Sequence, residues 1–365
     1  MSLQIGIVGL PNVGKSTLFN ALTNAGAAVA SYPFTTIEPN VGVVAVEDHR
    51  LQDIAALIQP ERVVPTTVEF VDIAGLVKGA SHGEGLGNQF LGHIRNVDAI
   101  VMIVRCFSDP EVAHVTAELD PLTDIEVVDL ELILADLATV ERRLEKVRSD
   151  AKARPREAAP QLEFLEGIRQ HLSQGQRAWG VADTEKAAAF LRELNLLTAK
   201  PRLFVANVDE DSLLDGGELA AAVVGRAQAE GTNAVVLCAQ LEAELAEWPV
   251  EDATAYRAEL GLTTSGAQAL VQEGYRLLDL ITFFTTTGGH EVRAWTVGRG
   301  ATAPQAAGKV HTDMERGFIR AEVVSYETVM AAGSFAAVRE RGLLRLEGRD
   351  YQVQDGDIIH FRFNV

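Results

Sequence analysis

Residues 4–18 read Gln4-Ile5-Gly6-Ile7-Val8-Gly9-Leu10-Pro11-Asn12-Val13-Gly14-Lys15-Ser16-Thr17-Leu18. A short apolar run, 4–8, passes into Gly-x-x-x-x-Gly-Lys-Ser and then into an amphipathic stretch at 17–22. Strand, glycine-rich loop and helix in that order are the context in which this motif cradles phosphates. The glycines let the backbone wrap so that successive N–H groups point at phosphate oxygens, and the helix N-terminus adds partial positive charge. Lys15 offers an ammonium to the β and γ oxygens, and Ser16 a hydroxyl to Mg²⁺. Asn12, Val13, Gly14, Lys15, Ser16 and Thr17 are therefore the expected nucleotide-binding residues, with Gly9 opening the loop. The Gly-x-Gly-x-x-Gly fingerprint is absent from this turn, which speaks against a dinucleotide-binding dehydrogenase.

Outward from the loop, apolar runs at 41–46, 67–72 and 99–104 alternate with amphipathic stretches, the grammar of a parallel sheet with crossover helices. The same grammar returns at 202–207 and 234–238, so the α/β domain is expected to be discontinuous, over 1–128 and 200–278. Between its parts Leu130, Ile133, Leu137, Val140, Leu144 and Val147 recur at alternating spacings of three and four, the seam of a paired helix. Leu162, Leu165, Ile168 and Leu172 form a second stripe. The segment 155–160, bounded by prolines, is expected to break the helix, giving a helical hairpin over 129–199. Near its tip, residues 142–156 hold seven cations against two carboxylates. That excess reads either as a solvated helix face or as an RNA-facing surface. From 279 to 365 a hairpin about Gly288-Gly289, a helix at 305–314 and strands at 318–324, 343–346 and 357–363 suggest a small β-grasp domain.

The 365 residues carry a formal charge of −19 and are 47% hydrophobic and 23% charged, a globular composition. Such a charge argues against wholesale coating of nucleic acid and leaves only local basic patches for it. The two cysteines, Cys106 and Cys238, sit in apolar runs and are expected to be buried thiols in a reducing compartment. No transmembrane-length stretch or signal-like N-terminus is apparent, so the expected location is cytoplasmic, without a membrane partner.

Asp72 closes the 67–72 strand in Asp72-Ile73-Ala74-Gly75, where its carboxylate can hold the Mg²⁺ shell and the Gly75 N–H can sense a γ-phosphate. Between this and the first loop, Tyr32-Pro33-Phe34-Thr35-Thr36 places two hydroxyls where a switch threonine completes the metal site: Thr36 as ligand, Thr35 beside it. Together the loop, Tyr-Pro-Phe-Thr-Thr, and the run Asp-Ile-Ala-Gly-Leu-Val-Lys-Gly-Ala from residue 72 resemble the Obg-related branch of the GTPase superfamily, and within it the Obg-like ATPase (YchF) family. The resemblance covers the whole chain, because that family has a G domain, an inserted helical coiled-coil domain and a C-terminal TGS domain of β-grasp type.

The resemblance bears on which base is bound. GTPases of the superfamily carry Asn-Lys-x-Asp after a later strand, the Asp accepting from guanine N1–H and the 2-amino group. Here the strand ends Asn207-Val208-Asp209-Glu210, with Val208 in place of the lysine and Glu210 in place of the aspartate. A site built for one purine leaves unpaired groups with the other. The family implies ATP preference, with Asn207 reading the adenine edge and Val208 lining the base pocket. Leu76 stands where Ras-like enzymes orient water with a glutamine, so slow turnover is expected; His114 is the candidate for positioning water instead, and Asn12 for binding K⁺. By the same resemblance the partner is the ribosome or its RNA, met through the helical and TGS domains. A GTPase of Obg type and a nucleotide-gated scaffold with negligible hydrolysis are the competing expectations.

Overall fold

A computed structural model describes residues 3–27, 41–73, 86–109, 119–152, 155–181 and 184–364. As far as residue 277 the elements are β1 (Gln4–Val8), α1 (Lys15–Ala27), β2 (Val41–Ala45), α2 (His49–Ile58), β3 (Arg62–Val64), β4 (Thr67–Asp72), α3 (Leu86–Asn96), β5 (Ala99–Arg105), α4 (Pro121–Ala151), α5 (Pro155–Ser173), α6 (Glu185–Leu194), β6 (Arg202–Asn207), α7 (Gly217–Ala229), β7 (Ala234–Leu237), α8 (Ala239–Leu245), α9 (Val250–Glu259) and α10 (Gly266–Leu277). There follow β8 (Leu280–Thr287), β9 (Glu291–Gly298), α11 (Ala303–Val310), α12 (Thr312–Arg316), β10 (Phe318–Ser325), α13 (Tyr326–Ala332), α14 (Phe335–Glu340), β11 (Arg345–Glu347) and β12 (Asp357–Phe363). These form two compact units: residues 1–44 with 69–274, and 45–68 with 275–365.

In the first unit one sheet runs β2-β4-β1-β5-β6-β7, and the β4–β1, β1–β5, β5–β6 and β6–β7 pairs are all parallel. β5 and β6 are buried at every residue, the signature of central parallel strands covered on both faces. The chain builds β2 and β4 on one side of β1 and β5, β6 and β7 on the other. The order therefore reverses at β1, and the carboxyl ends around that point are where open α/β sheets bind ligands.

The helical insertion belongs to this unit. Asp120 caps α4 by accepting from the Leu122 N–H at 3.0 Å, and Pro121 takes the first-turn position that needs no donor. Val140, Leu144 and Val147 of α4 pack with Leu165, Ile168 and Leu172 of α5, as the stripes require. Two expectations are corrected. Leu130 is 52% exposed and outside the seam, because α4 at that level already packs against the α/β core through other faces, burying Ile125, Val128 and Leu132. Residues 155–160 do not interrupt the hairpin with a loop: α5 begins at Pro155, and Pro160 lies within it, near enough to the helix start that little of the hydrogen-bond ladder is lost.

The second unit is a β-grasp. The antiparallel β8–β9 hairpin turns through Gly288 and Gly289, whose φ values of 56° and 85° suit glycine. β12 lies parallel to β8 and antiparallel to β10, and the sheet order is β11-β10-β12-β8-β9-β3. One face packs Ala303, Ala306 and Ala307 of α11; the other packs Leu51 and Ile54 of α2 with α13 and α14. The single helix expected at 305–314 is two helices, because His311 is extended and its Nδ1 caps α12 by accepting from the Asp313 N–H. Residues 45–68, expected in the nucleotide domain, lie in this unit: β3 adds a parallel strand to β9, and Arg50 joins Asp48 at 2.7 Å to Asp355 at 2.9 Å. Both cysteines are buried free thiols. Among the described residues no helix is long and apolar enough to cross a membrane.

Candidate nucleotide-binding site

β1 delivers the glycine-rich loop to the switch point. At Gly9 a Cβ would come within 2.5 Å of the Ile103 carbonyl oxygen, so this glycine is required by the close approach of β5 as well as by any ligand. Gly14 has φ +95°, and a Cβ there would meet Asn207 Nδ2 at 2.4 Å. Asn12 adopts the left-handed conformation at φ 62°, which asparagine tolerates better than most residues. α1 begins immediately after, with the Leu18 N–H donating to the Gly14 carbonyl at 2.9 Å. Ser16 and Thr17 are exposed on its first turn, beside the free N–H groups of the helix start.

Lys15 is buried, and its Nζ donates to the Leu10 carbonyl at 2.6 Å. Burial pushes its pKa down to about 8, against the opposing pull of the Asp72 carboxylate. The β1–β4 register sets Ile7 beside Asp72, bringing the end of β4 to the end of β1. Ser16 Oγ then donates to Asp72 Oδ2 at 3.1 Å. Asp72 Oδ1 is buried without a hydrogen-bond partner among the described residues. A serine hydroxyl and a carboxylate with one unsatisfied oxygen make the hard donor set that Mg²⁺ prefers, so these residues fit that ion.

Asn207 closes the site from β6. Its Nδ2 donates to the Val13 carbonyl at 2.9 Å, and its Oδ1 accepts from the Ala239 N–H at 2.9 Å. The side chain therefore braces the glycine-rich loop against the start of α8, with one N–H left over among the described residues. That brace is a second role for Asn207, beside the base-reading one expected from the sequence. Val208 is buried, and its N–H donates to the Leu237 carbonyl at 2.9 Å. Asp209 caps a short 3₁₀ turn by accepting from the Ser212 N–H at 3.0 Å. Glu210 Oε1 accepts from the Tyr256 hydroxyl at 2.8 Å.

The fold thus gathers residues 9–17, Asp72, Asn207 and Val208 at the carboxyl ends of β1, β4 and β6. Thr35, Thr36, Gly75, Leu76 and His114 lie outside the described residues. Ala239 and Tyr256 escaped the sequence reading, because each acts through a tertiary contact and carries no local motif. A parallel sheet with a phosphate-cradling loop at its switch point, a lysine, serine and aspartate at that loop, and an asparagine brace from β6 define a P-loop nucleotide-binding protein of the G-domain class.

Residues 4–151 match the family model described as "50S ribosome-binding GTPase", and residues 280–364 match YchF-GTPase_C, described as "Protein of unknown function (DUF933)". Among curated proteins the chain is 52% identical to the Ribosome-binding ATPase YchF of Bacillus subtilis and 49% identical to that of Escherichia coli O157:H7, each alignment covering 100% of both chains. The solved structure of the Schizosaccharomyces pombe YchF GTPase superposes with a TM-score of 0.87 at 35% identity, covering 99% of this chain and 98% of that one. This chain belongs to the YchF family.

Proposed function

We propose that the chain binds ATP with Mg²⁺, hydrolyses it to ADP and phosphate, and acts as a nucleotide switch that associates with ribosomes in the cytoplasm. The observation that carries ATP over GTP is the turn after β6, where a buried Val208 replaces the lysine of guanine readers and Glu210 is engaged by Tyr256. Lys15 and the α1 N-terminus hold the triphosphate. Ser16 and Asp72 would hold Mg²⁺, with Thr36 as the third protein ligand, and the ion when bound would supply charge neutralisation to the triphosphate. Val208 lines the base pocket. Thr35, Gly75 and Leu76 belong to the switch segments, and Leu76 cannot hydrogen-bond a water, so turnover is slow. His114 positions the water, and Asn12 is the candidate K⁺ ligand. Ribosome contact is assigned to the basic end of the α4–α5 pair and to the C-terminal β-grasp.

Titration of nucleotide-free protein with a labelled purine nucleotide, competed by ATP and GTP at one Mg²⁺ concentration, tests the reading. ATP should win by about tenfold or more, roughly 1.4 kcal/mol. Tighter binding of GTP would overturn it, in line with the name GTPase given to the fission yeast relative, and would leave the phosphate site standing.

A further inference from the structure

The purine edge that a carboxylate at position 210 would face differs sharply between the two bases. Guanine presents N1–H and a 2-amino group, both donors; adenine presents the N1 lone pair. A free carboxylate there attracts guanine and repels adenine. Glu210 carries such a carboxylate, at the place in the turn where guanine readers keep aspartate, and side-chain length alone does not disarm it, because a glutamate can fold back.

The structure shows what restrains it. Tyr256 on α9 donates its hydroxyl to Glu210 Oε1 at 2.8 Å. The phenol ring stacks in a tilted arrangement on Trp248, centroids 5.4 Å apart, and packs partly buried against Cys238, Leu241 and Leu245. α9 is itself fastened by Arg257 to the buried Glu242 of α8 at 3.3 Å. α8 begins at Ala239, whose N–H holds Asn207. The hydroxyl is thus presented from an element tied to the same junction that braces the glycine-rich loop. We propose that Tyr256 is a specificity-determining positioning residue: its hydroxyl fixes the Glu210 carboxylate to α9 and so removes the group that would favour guanine and disfavour adenine. The inference rests on the ATP reading above and names the residue that enforces it.

Dissociation constants for ATP and GTP, measured by competition on the wild-type protein, Tyr256→Phe, Glu210→Gln and the double variant, test it. Tyr256→Phe should tighten GTP binding by about tenfold and weaken ATP binding by a smaller factor. In the Glu210→Gln background the same change should move both constants by less than about twofold, since no carboxylate remains to be released. Equal changes for the two nucleotides, or a GTP gain that persists without the carboxylate, would overturn the proposal. If Tyr256→Phe disturbs α9, Glu210→Asp retracts the carboxylate from Tyr256 with the helix intact and should give the same GTP gain; no gain there also overturns it. The wild-type ratio judges the ATP reading separately: a wild type that prefers GTP defeats both, whereas an ATP-preferring wild type without Tyr256–Glu210 coupling defeats this inference alone.

Discussion

At Lys15 burial and a neighbouring carboxylate oppose each other. Its pKa of about 8 means that the nucleotide-free protein gives up the ammonium just above neutrality. A bound triphosphate would restore that proton, so nucleotide affinity should fall as pH rises through 8, by up to about tenfold per unit. Titrations between pH 7 and 10 check this, and a Lys15→Met variant should bind weakly with a flat profile. Stability runs the other way. The folded-state pKa lies below the ordinary lysine value of 10.5, so between those values the unfolded chain holds more protons and the free protein gains stability from this group as pH rises. Asp72 makes a second prediction. Replacing it with Asn removes the charge proposed to hold Mg²⁺ and the carboxylate that opposes loss of the Lys15 proton, so the Mg²⁺ midpoint for nucleotide binding should rise by about tenfold or more, on the order of 1.4 kcal/mol. Lys15, Ser16 and Asp72 were legible in the sequence because their chemistry is local to a motif or a strand end. Asn207 was found for its position, but its bracing contacts were not legible, since both partners are set by the fold, Val13 standing 194 positions away.

At the scale of elements, β6 is pinned at its far end from Asn207. Arg202 is buried and bonds Asp129 of α4 and, at 2.5 Å, Glu230 at the end of α7; Arg226 joins Glu230 at 2.6 Å. The base of the helical insertion and the strand that braces the glycine-rich loop therefore share one charge network centred on the buried Arg202. Arg202→Met leaves two carboxylates short of their main partner and should cost about 3–5 kcal/mol in urea unfolding, the scale for breaking a buried pair. The helical hairpin itself was legible from its three-and-four spacing, because that period reports a seam directly. Its boundaries were not. Leu130 fits the period yet faces solvent, and Pro160 looks like a breaker yet sits early in α5, so packing against the α/β core and proximity to a helix start decided both. Likewise β3 is three residues long and takes its identity from β9, which no local pattern could reveal.

For the whole molecule, the second unit is assembled from two stretches of chain, 45–68 and 275–365. Leu51 and Ile54 are part of its core, packed with Phe284, Val292 and Val324. Leu51→Ala should therefore loosen the C-terminal β-grasp by about 2–5 kcal/mol, although the substitution lies more than two hundred positions earlier in the sequence. Hydrogen exchange resolves this: amides of β8, β9 and β12 should lose protection, while those of β5 and β6 keep it. Charge makes the last prediction. With −19 overall, the chain meets a polyanion only through local excess, and the end of the α4–α5 pair has one. Arg143 and Arg148 there are neutralised by Glu193 and Glu166, but Arg142, Lys146, Lys152 and Arg156 are exposed and form no ion pair among the described residues. If these cations meet ribosomal RNA phosphates, Lys146→Glu with Lys152→Glu should weaken co-sedimentation with ribosomes and lower the slope of log affinity against log salt by about 0.7–0.9 per lost contact. ATP affinity should stay unchanged, because neither lysine touches the nucleotide site. An unaltered salt slope would make this end a solvated helix face and move the ribosome contact to the β-grasp unit.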